Sequence, residues 1–451
     1  MTSSVTAKAS VRASSTLPTS ESATQCAETS TAERFIPYTL VHMVAGETLK
    51  DLIIPQVVMH MAQQAETAGP LRPARVLIAF LEPVRVALRR HVRTRVREIR
   101  RSAPSVQVML LPYVSRFSVS ANARILGRLL RLKVGADPVV FHCRGESAAK
   151  WAIELKPYLD SAGVVADIRG AWPEELIFAR GFDGFDEADK SSRADYQAAL
   201  STLRFVLTRS ASVLSVSPEM LMWLKRVGAT EDKLTFVPCC VSRIQFSSAA
   251  RDEVRRALSL DDKLVFVYLG SIARYQHIPD GLIPFFKVLA AECADAHLLC
   301  LTRETESMRS ALASGGVALD RATVLNLPHD RVAEHLCAAD AGLLLRAPSN
   351  MNRYSRPTKL GEYLASGLPI ILSRGMGETD ALVEKSGAGL VVDVFGRDEA
   401  GLRQEAERVI MRLRVDGERM RASALRIADE QFLWGRYVSR VRDAYLKAIE
   451  S

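Results

Sequence analysis

Short apolar runs alternate with longer stretches of mixed polarity along most of the chain. Runs this short and this apolar predict strands buried on both faces, and the stretches between them predict helices or loops. Strands that alternate with helices are typical of a parallel sheet covered on both sides. The runs of the first half are Thr39–Val44, Arg75–Phe80, Val106–Leu111, Val139–His142, Val164–Ile168, Val213–Val216 and Leu234–Val237.

The pattern pauses in a polar stretch, Ser242–Asp252, and then begins again. The runs of the second half are Leu264–Leu269, His297–Thr302, Thr323–Leu325, Ala341–Leu345, Leu368–Ser373 and Gly389–Val392. Two arrays, each roughly 200 residues long, predict an α/β chain of two Rossmann-like βαβ domains that face a cleft. Ligands of open α/β sheets bind beyond the carboxyl ends of the strands, so this cleft is the expected site.

Three stretches outside the runs predict helices: Leu49–Gln63, the very basic Arg85–Arg101, and the amphipathic Leu433–Ile449. The first 33 residues include 21 Ser, Thr or Ala and no aromatic residue, which predicts a disordered tail. They contain no apolar core, so they do not resemble a secretory signal. We expect a tail over 1–33, a first domain over 34–242, a second domain over 243–430 and a final helix over 431–451.

Composition excludes several classes of protein. Apolar residues make up 48% of the chain and charged residues 25%, values that are typical of a globular protein with a sizeable core. The longest apolar runs fall far short of the ~18 residues that a membrane span needs. Seven cysteines without a CxxC pair argue against a disulfide framework and for a reducing compartment, so we expect a cytoplasmic protein.

The formal net charge is +9, a modest field that suits an anionic small substrate or an anionic membrane surface as well as nucleic acid. The positive charge is densest in Arg85–Arg101, which carries eight arginines against Glu98 alone. Its apolar residues fall on a partial stripe: Val84, Val86, Leu88, Val92, Val96 and Ile99. Such a helix either docks on anionic lipid or is a solvated outer helix. No zinc spacing, ribonucleoprotein motif or helix-turn-helix signature favours a nucleic-acid partner, and no HExxH or DxD motif in a plausible loop favours a metal.

The segment Asn352–Ile371 carries the densest candidate chemistry. Pro357 suits the first turn of a helix, with Ser355 as its cap and Thr358 in that turn. A helix N-terminus binds phosphate, and Arg356 and Lys359 would add positive charge there. Glu362 lies one turn further and would accept hydrogen bonds from two ribose hydroxyls.

This segment resembles the donor-binding motif of the retaining glycosyltransferases of family 4, which have the GT-B fold. Glu362 begins a Glu-Tyr-Leu-Ala-Ser-Gly-Leu-Pro-Ile-Ile run that matches the second half of that motif. Eight residues earlier, where the family carries another Glu, this chain has Tyr354. The Ser-x-Pro-Thr-Lys variant from Ser355 to Lys359 resembles capsule and exopolysaccharide members.

The resemblance extends over most of the chain after about Tyr38. Ala338–Leu345 looks like the segment that leads into a strand in this family, and Phe236–Ser242 looks like the family's hinge. The last helix looks like the one that crosses back to the first domain. The Gly270 turn looks like the family's first strand-to-loop turn in the donor domain. Ser271 stands where the family often has an Arg that holds the donor diphosphate, and Arg274 is the nearest replacement.

The first half resembles the acceptor side of the family in two loops, Val140–Gly145 and Ala166–Glu175. By this resemblance His142, expected to end a strand and point into the cleft, contacts the donor sugar, and Gly46 lies near the diphosphate. The acceptor-side candidates of these loops are Arg144, Asp167, Arg169 and Glu174. Asp167 and Arg169 suit a structural ion pair equally well, and Glu174 and Glu175 suit the first turn of a helix.

The resemblance implies a retaining, metal-independent hexosyltransferase that uses a nucleotide-diphosphate sugar and needs no further cofactor. Arg274, Lys359 and the helix N-terminus would stabilise the departing diphosphate, and His142 would contact the sugar. The acceptor would be a lipid-linked or cell-surface glycan precursor at the inner face of the membrane. Two alternatives stay open: a non-catalytic scaffold, favoured by Tyr354 and Ser271, and a sugar-nucleotide 2-epimerase, which needs more carboxylates in the cleft.

Overall fold

The computed structural model describes residues 37–50, 53–67, 72–182 and 184–451, and the predicted tail lies outside them. Within these ranges the strands form two parallel sheets, of seven and six strands. Each sheet carries an apolar core on both faces, because nearly every strand residue is buried. None of the described helices combines the length and apolarity needed to cross a membrane.

The first sheet has the strand order β3-β2-β1-β4-β5-β6-β7. Its strands are β1 (Thr39–Ala45), β2 (Arg75–Pro83), β3 (Gln107–Tyr113), β4 (Val139–Arg144), β5 (Ala162–Ile168), β6 (Ser212–Ser215) and β7 (Leu234–Phe236). The order reverses between β1 and β4, where the loops after the two strands diverge and leave a crevice at the carboxyl edge.

The second sheet repeats this arrangement in the order β10-β9-β8-β11-β12-β13. Its strands are β8 (Leu264–Leu269), β9 (Ala296–Leu301), β10 (Ala322–Leu325), β11 (Ala341–Leu344), β12 (Ile370–Ser373) and β13 (Gly389–Val392). Its reversal lies between β8 and β11. Every predicted apolar run overlaps one of the observed strands, and the predicted fold of two Rossmann-like domains is confirmed.

Helices connect the strands. They are α1 (Met59–Glu66), α2 (Val84–Ala87), α3 (Arg90–Ser102), α4 (Val119–Val134), α5 (Gly145–Leu155), α6 (Trp172–Ala179), α7 (Lys190–Arg209), α8 (Pro218–Val227), α9 (Ser248–Ala257), α10 (Ile283–Glu292), α11 (Thr305–Ser314), α12 (His329–Cys337), α13 (Asn350–Tyr354), α14 (Thr358–Ala365), α15 (Glu378–Ser386), α16 (Glu399–Gln431) and α17 (Val438–Glu450). Short π- or 3-10-helical turns lie at Ile54–Val58, Lys156–Tyr158, Glu231–Lys233, Arg274–Gln276, Ile278–Leu282, Leu319–Arg321 and Trp434–Arg436.

The helix predictions need three corrections. The stretch Arg85–Arg101 is not one helix, because Arg89 has an extended ψ of 137° that separates α2 from α3. The polar stretch after residue 242 contains the start of α9, which Ser247 caps by accepting a hydrogen bond from the Ala250 N–H. The final helix is shorter than predicted, since a separate turn precedes α17.

The C-terminal segment contacts both halves of the molecule. Helix α16 packs against α10 and α14, and the chain then pairs Leu433 with Val241 and lays α17 against β5. Gly163 of β5 permits this approach, because a Cβ atom there would lie 1.8 Å from the Ala448 carbonyl oxygen. The boundaries at residues 242 and 430 stay predictions.

Candidate functional site

The Gly270 turn lies at the carboxyl end of β8, beside the point where the second sheet reverses. Gly270 has a φ of +142°, a conformation that L side chains rarely adopt. A Cβ atom on Gly270 would lie 3.0 Å from the Lys359 Nζ atom and 3.3 Å from the Tyr268 hydroxyl. The turn therefore lets backbone come close to a buried lysine.

Helix α14 brings Lys359 to this turn. The Lys359 Nζ donates a hydrogen bond to Gln276 Oε1 at 2.8 Å and lies 4.5 Å from the centre of the Tyr268 ring. The side chain is buried, and burial, assisted by the nearby charge of Arg346, holds the pKa of Lys359 well below its usual range. A cation that loses so much hydration is a strong candidate for binding an anion.

The start of α14 differs from the sequence prediction. Pro357 itself is the N-cap residue and no side chain caps the helix. The prediction that Ser355 is the cap is wrong, because Ser355 ends α13 and its hydroxyl donates to the Asn352 carbonyl at 3.1 Å. Thr358 is the first helical residue and is partly exposed.

Glu362 lies one turn along α14 and is partly exposed. Among the residues that the structure describes, its carboxylate has neither a hydrogen bond nor an ion pair. Desolvation raises the pKa of Glu362 to about 7, although Lys359 acts in the opposite direction. The carboxylate is therefore available to a ligand hydroxyl.

Arg346 is a site residue that sequence reasoning missed. It follows β11 at the same strand reversal, is buried, and lies with its guanidinium 5.3 Å from the centre of the Tyr275 ring. Its Nε has no hydrogen-bond partner, and burial lowers the pKa of Arg346. The sequence does carry a signal for Arg346, because this arginine directly follows an apolar strand run and therefore lies at the carboxyl edge of a parallel sheet.

Arg346 and Lys359 are two buried cations that have no ion-pair partner among the described residues. Burial and then the charge of Arg346 lower the pKa of Lys359, while Glu362 acts on Lys359 and Glu175 acts on Arg346 in the opposite direction. Within the described part of the chain neither cation forms an ion pair with a carboxylate. Buried charges are costly unless they are paired. This arrangement is suited to an anionic ligand that supplies the missing negative charge.

Two other predicted cations are engaged elsewhere. Arg274 donates to the Phe178 carbonyl at 2.8 Å and lies 4.9 Å from the centre of the Phe178 ring, so it joins the loop after β8 to α6. Arg356 is buried 4.7 Å from the Phe432 ring centre, and its Nη1 lies 3.3 Å from Glu378 Oε1. Both guanidinium groups thus already have protein partners. Next to Arg274, the Ser271 carbonyl accepts a hydrogen bond from Tyr268.

The prediction that His142 ends a strand and points into the cleft is wrong. Strand β4 continues to Arg144, and His142 is fully buried beneath α17. One ring nitrogen, Nδ1, lies 2.8 Å from the Tyr445 hydroxyl, and Nε2 lies 3.3 Å from Asp167 Oδ2. Its inaccessibility comes from α17, which covers this face of the sheet.

Asp167 and Arg169 form the ion pair that was one of their two predicted roles, with Arg169 Nε donating to Asp167 Oδ2 at 2.8 Å. Burial alone would raise the pKa of Asp167, but Arg169, His142 and Arg144 together hold it well below its usual range. The Arg169 guanidinium also lies 5.7 Å from the centre of the Trp434 ring. This network fixes β5 to the C-terminal segment.

The crevice of the first sheet is lined by acidic groups. Gly46 turns the chain after β1 with a φ of +71°, and Arg144 donates to Glu47 Oε2 at 3.1 Å. Glu174 accepts a hydrogen bond from the Tyr196 hydroxyl at 3.0 Å, and burial raises its pKa. Glu146, in the first turn of α5, was not predicted.

Glu146 is buried with one unpartnered carboxyl oxygen. Burial raises its pKa to about 8, and the nearby carboxylates Glu175 and Glu47 add to the effect. Burial raises the pKa of Glu175 as well. Glu146 and Glu175 therefore hold a proton more readily than ordinary carboxyl groups do. Burial acts on Glu47 in the same direction, but Arg144 and Lys50 outweigh it and hold the pKa of Glu47 below its ordinary value.

The fold is similar to that of known glycosyltransferases. HepE of Anabaena, whose structures include complexes with UDP and with UDP-glucose, aligns over 90% of this chain and 98% to 99% of its own, with a TM-score of 0.64 and 10% to 11% identity. Sucrose-phosphate synthase from Thermosynechococcus elongatus aligns over 91% of this chain and 98% of its own (TM-score 0.64, 15% identity).

WaaG, a glycosyltransferase of lipopolysaccharide biosynthesis, aligns over 90% of this chain and 98% of its own, with a TM-score of 0.57 and 13% identity. No protein-family model and no curated protein matches the sequence. At these identities the likeness shows the fold, which is GT-B.

Proposed function

We propose that this chain is a retaining, metal-independent glycosyltransferase. It moves a sugar from a nucleotide-diphosphate donor to a glycan or lipid-linked acceptor in cell-surface polysaccharide synthesis. The observation that carries this proposal is the pair of buried cations, Arg346 and Lys359, which lie at the strand reversal of the second sheet and have no ion-pair partner among the described residues. A diphosphate supplies the charge that these two side chains lack.

The donor would lie along the carboxyl edge of the second sheet. The backbone at Gly270 and Ser271, and Thr358 at the start of α14, would lie next to the diphosphate. Glu362 would accept hydrogen bonds from the ribose hydroxyls. Arg346 and Lys359 would stabilise the charge that grows on the diphosphate as the sugar leaves. Arg274 would act indirectly, by holding the loop after β8 against the first domain, and His142 and Arg356 would support the walls.

The acceptor would approach from the first domain. Its hydroxyl would attack from the face that the diphosphate leaves, and a donor phosphate oxygen would take the proton. Glu146, largely neutral at neutral pH, could donate a hydrogen bond to an acceptor hydroxyl, whereas Arg144 and Glu47 position the loop after Gly46. Closure of the two halves would exclude water and limit hydrolysis of the donor.

Two of the structurally similar proteins indicate which ligands and which kind of acceptor to test first. HepE has been solved with UDP and UDP-glucose, which makes these the first ligands to test, and the role of WaaG in lipopolysaccharide biosynthesis is consistent with a surface-glycan acceptor. We propose a cytoplasmic protein that works at the inner face of the membrane.

Thermal unfolding with UDP, GDP, ADP and their sugar conjugates tests the donor site. A ligand specific for the folded state adds about 2.7 kcal/mol of stability at one hundred times its dissociation constant. We expect one nucleotide to stabilise the wild type, and Glu362→Ala and Arg346→Gln to lose that shift. Glu407→Ala, an exposed position on α16, is the matched control and should keep it. If no nucleotide stabilises the wild type, the scaffold alternative is favoured.

A sugar-nucleotide 2-epimerase is the second candidate. It is favoured by the carboxylates Glu47, Glu146 and Glu175, which lie close enough to act on one another's pKa. Incubation of the responding nucleotide sugar without acceptor separates the two enzymes. An epimerase returns an isomeric nucleotide sugar, whereas a transferase returns unchanged donor or slow release of nucleotide.

A further inference from the structure

Two helices flank the edge strand β3, and they present different surfaces. In the basic helix α3 every apolar side chain faces the core: Val92, Val96 and Ile99 are all buried. Its outer face is therefore charged but carries no apolar side chain that could enter a lipid layer. The half of the predicted stripe that lies in α3 is therefore core packing, whereas Val84 and Leu88, in and beside the one-turn helix α2, are exposed.

Helix α4, on the other side of β3, has two apolar faces. The inner face packs into the core through Ala123, Leu126, Leu130 and Val134. The outer face exposes Ile125 (59%), Leu129 (51%) and Leu132 (85%). At 100° per residue these three fall within about 60° of the helix circumference, so they form one stripe along the axis.

Cationic side chains border this stripe. Arg124, Arg128 and Arg131 lie on one side of it and Lys133 on the other, and the sequence of α4 contains no acidic residue. Arg131 pairs with Asp160 at 2.7 Å, whereas Arg124 and Arg128 are exposed and have no partner among the described residues. An isologous contact with a second copy would bring these like charges together, which disfavours a dimer through this face.

We propose that the outer face of α4 docks on an anionic lipid bilayer. Ile125, Leu129 and Leu132 would enter the boundary between headgroups and acyl chains, while Arg124 and Arg128 would contact lipid phosphates. The inference goes beyond the proposed reaction and does not depend on it, since vesicle binding is measured without nucleotide or acceptor.

Co-sedimentation with vesicles tests this assignment. The full chain is mixed with vesicles of phosphatidylcholine alone or of phosphatidylcholine with phosphatidylglycerol, at low and at high salt. We expect binding only to the phosphatidylglycerol vesicles, weakened by salt. Arg124→Gln/Arg128→Gln should bind about ten-fold more weakly or worse, since each charge near such a surface contributes substantially. Leu129→Ser/Leu132→Ser should lose binding to a similar extent.

The matched control removes equal charge from the other helix. Arg93→Gln/Arg97→Gln alters two exposed arginines of α3 and should change binding by less than about two-fold if α4 is the docking element. Equal losses in the two charge variants would overturn the assignment, as would failure of the wild type to bind. A gel-filtration shift from dimer to monomer in Leu129→Ser/Leu132→Ser would instead assign the stripe to a second copy. Thermal unfolding checks that each variant is folded.

Discussion

Tyr354 stacks on Trp223, with ring centres 5.5 Å apart and planes 20° apart. Tyr354 belongs to α13 of the second half, and Trp223 belongs to the core of the first half. The Tyr354 hydroxyl accepts a hydrogen bond from Arg226, and its carbonyl accepts one from the Ser217 hydroxyl at 2.7 Å. The position eight residues before Glu362, where the resemblance led us to expect an acid, is thus occupied by an aromatic contact between the two halves.

Tyr354→Glu should destabilise the protein rather than restore a missing function, because it places a carboxylate in an apolar core. We expect a loss of several kcal/mol for Tyr354→Glu and about 3 to 5 kcal/mol for Tyr354→Ala. Tyr354→Phe keeps the stack and loses only the hydroxyl contact, so it should cost about 1 kcal/mol. Denaturant unfolding measures all three. A Tyr354→Glu protein as stable as Tyr354→Phe would show that the residue does not hold the halves together.

The strands were predictable because each is a local feature of the sequence. A strand buried on both faces, such as β2, is apolar along its central residues, and that run is visible without knowledge of its partners. Helix α16 was not predicted, although it is the longest helix, because charged residues at exposed positions separate its buried side chains. Its apolar periodicity is diluted over 33 residues.

The candidate site was predictable only where one segment carries it. Lys359, Glu362 and Gly270 follow from local motifs, and their placement agrees with a ligand site at the strand reversal. Arg346 was missed because its importance depends on β8 and β11 being neighbours. His142 was misplaced because its partner Tyr445 lies 303 residues away, on a helix whose docking no local pattern reveals.

Gly270→Ala should damage the site, because the new methyl group would press on Lys359 Nζ at 3.0 Å and the backbone has a positive φ. We expect a loss of about 1 to 2 kcal/mol in stability. Nucleotide binding should weaken by about ten-fold if Lys359 is displaced. Gly417→Ala, in α16 with no atom within 4 Å of the added Cβ, should be neutral or stabilising. Calorimetric titration with the responding nucleotide measures binding, and denaturant unfolding measures stability. If Gly270→Ala and Gly417→Ala had the same affinity and the same stability, the close approach of Gly270 to Lys359 would be contradicted.

Lys359→Met should stabilise the unliganded protein and abolish nucleotide binding. The substitution removes one of two buried cations that repel each other, so the free protein should gain about 1 kcal/mol. Lys385→Met, at an exposed position, should change neither property. Unfolding with and without nucleotide separates the two effects. A destabilised Lys359→Met protein that still binds nucleotide would mean that Lys359 is structural.

The buried histidines of the first domain should favour unfolding as the pH falls. His42 stacks on His142 with ring centres 4.5 Å apart, and His60 stacks on Trp434 at 4.0 Å. Burial, and then the neighbouring His142, holds the pKa of His42 and of His60 well below the usual value. In the unfolded chain both histidines titrate near 6.5, so the unfolded state binds more protons than the folded state once the pH falls below that value.

The stability that these two histidines contribute should therefore be fully present above about pH 6.5 and decline as the pH falls below it. Glu146 and Glu362 have raised pKa values and act in the opposite direction in this window, so the histidine contribution is measured as the difference between wild type and a histidine variant. The low pKa of Asp167 costs stability only below about pH 4. Denaturant unfolding between pH 7.5 and pH 5 measures the slope, in a range where the ordinary histidine pKa lies. His60→Phe should reduce the slope by about one proton, because it removes a group that protonates only on unfolding. His91→Gln, which alters an exposed histidine of α3, should leave it unchanged. Equal slopes for wild type and His60→Phe would show that His60 is accessible to protons in the folded protein. The contact between His60 and Trp434 of the C-terminal segment would then have to open in solution.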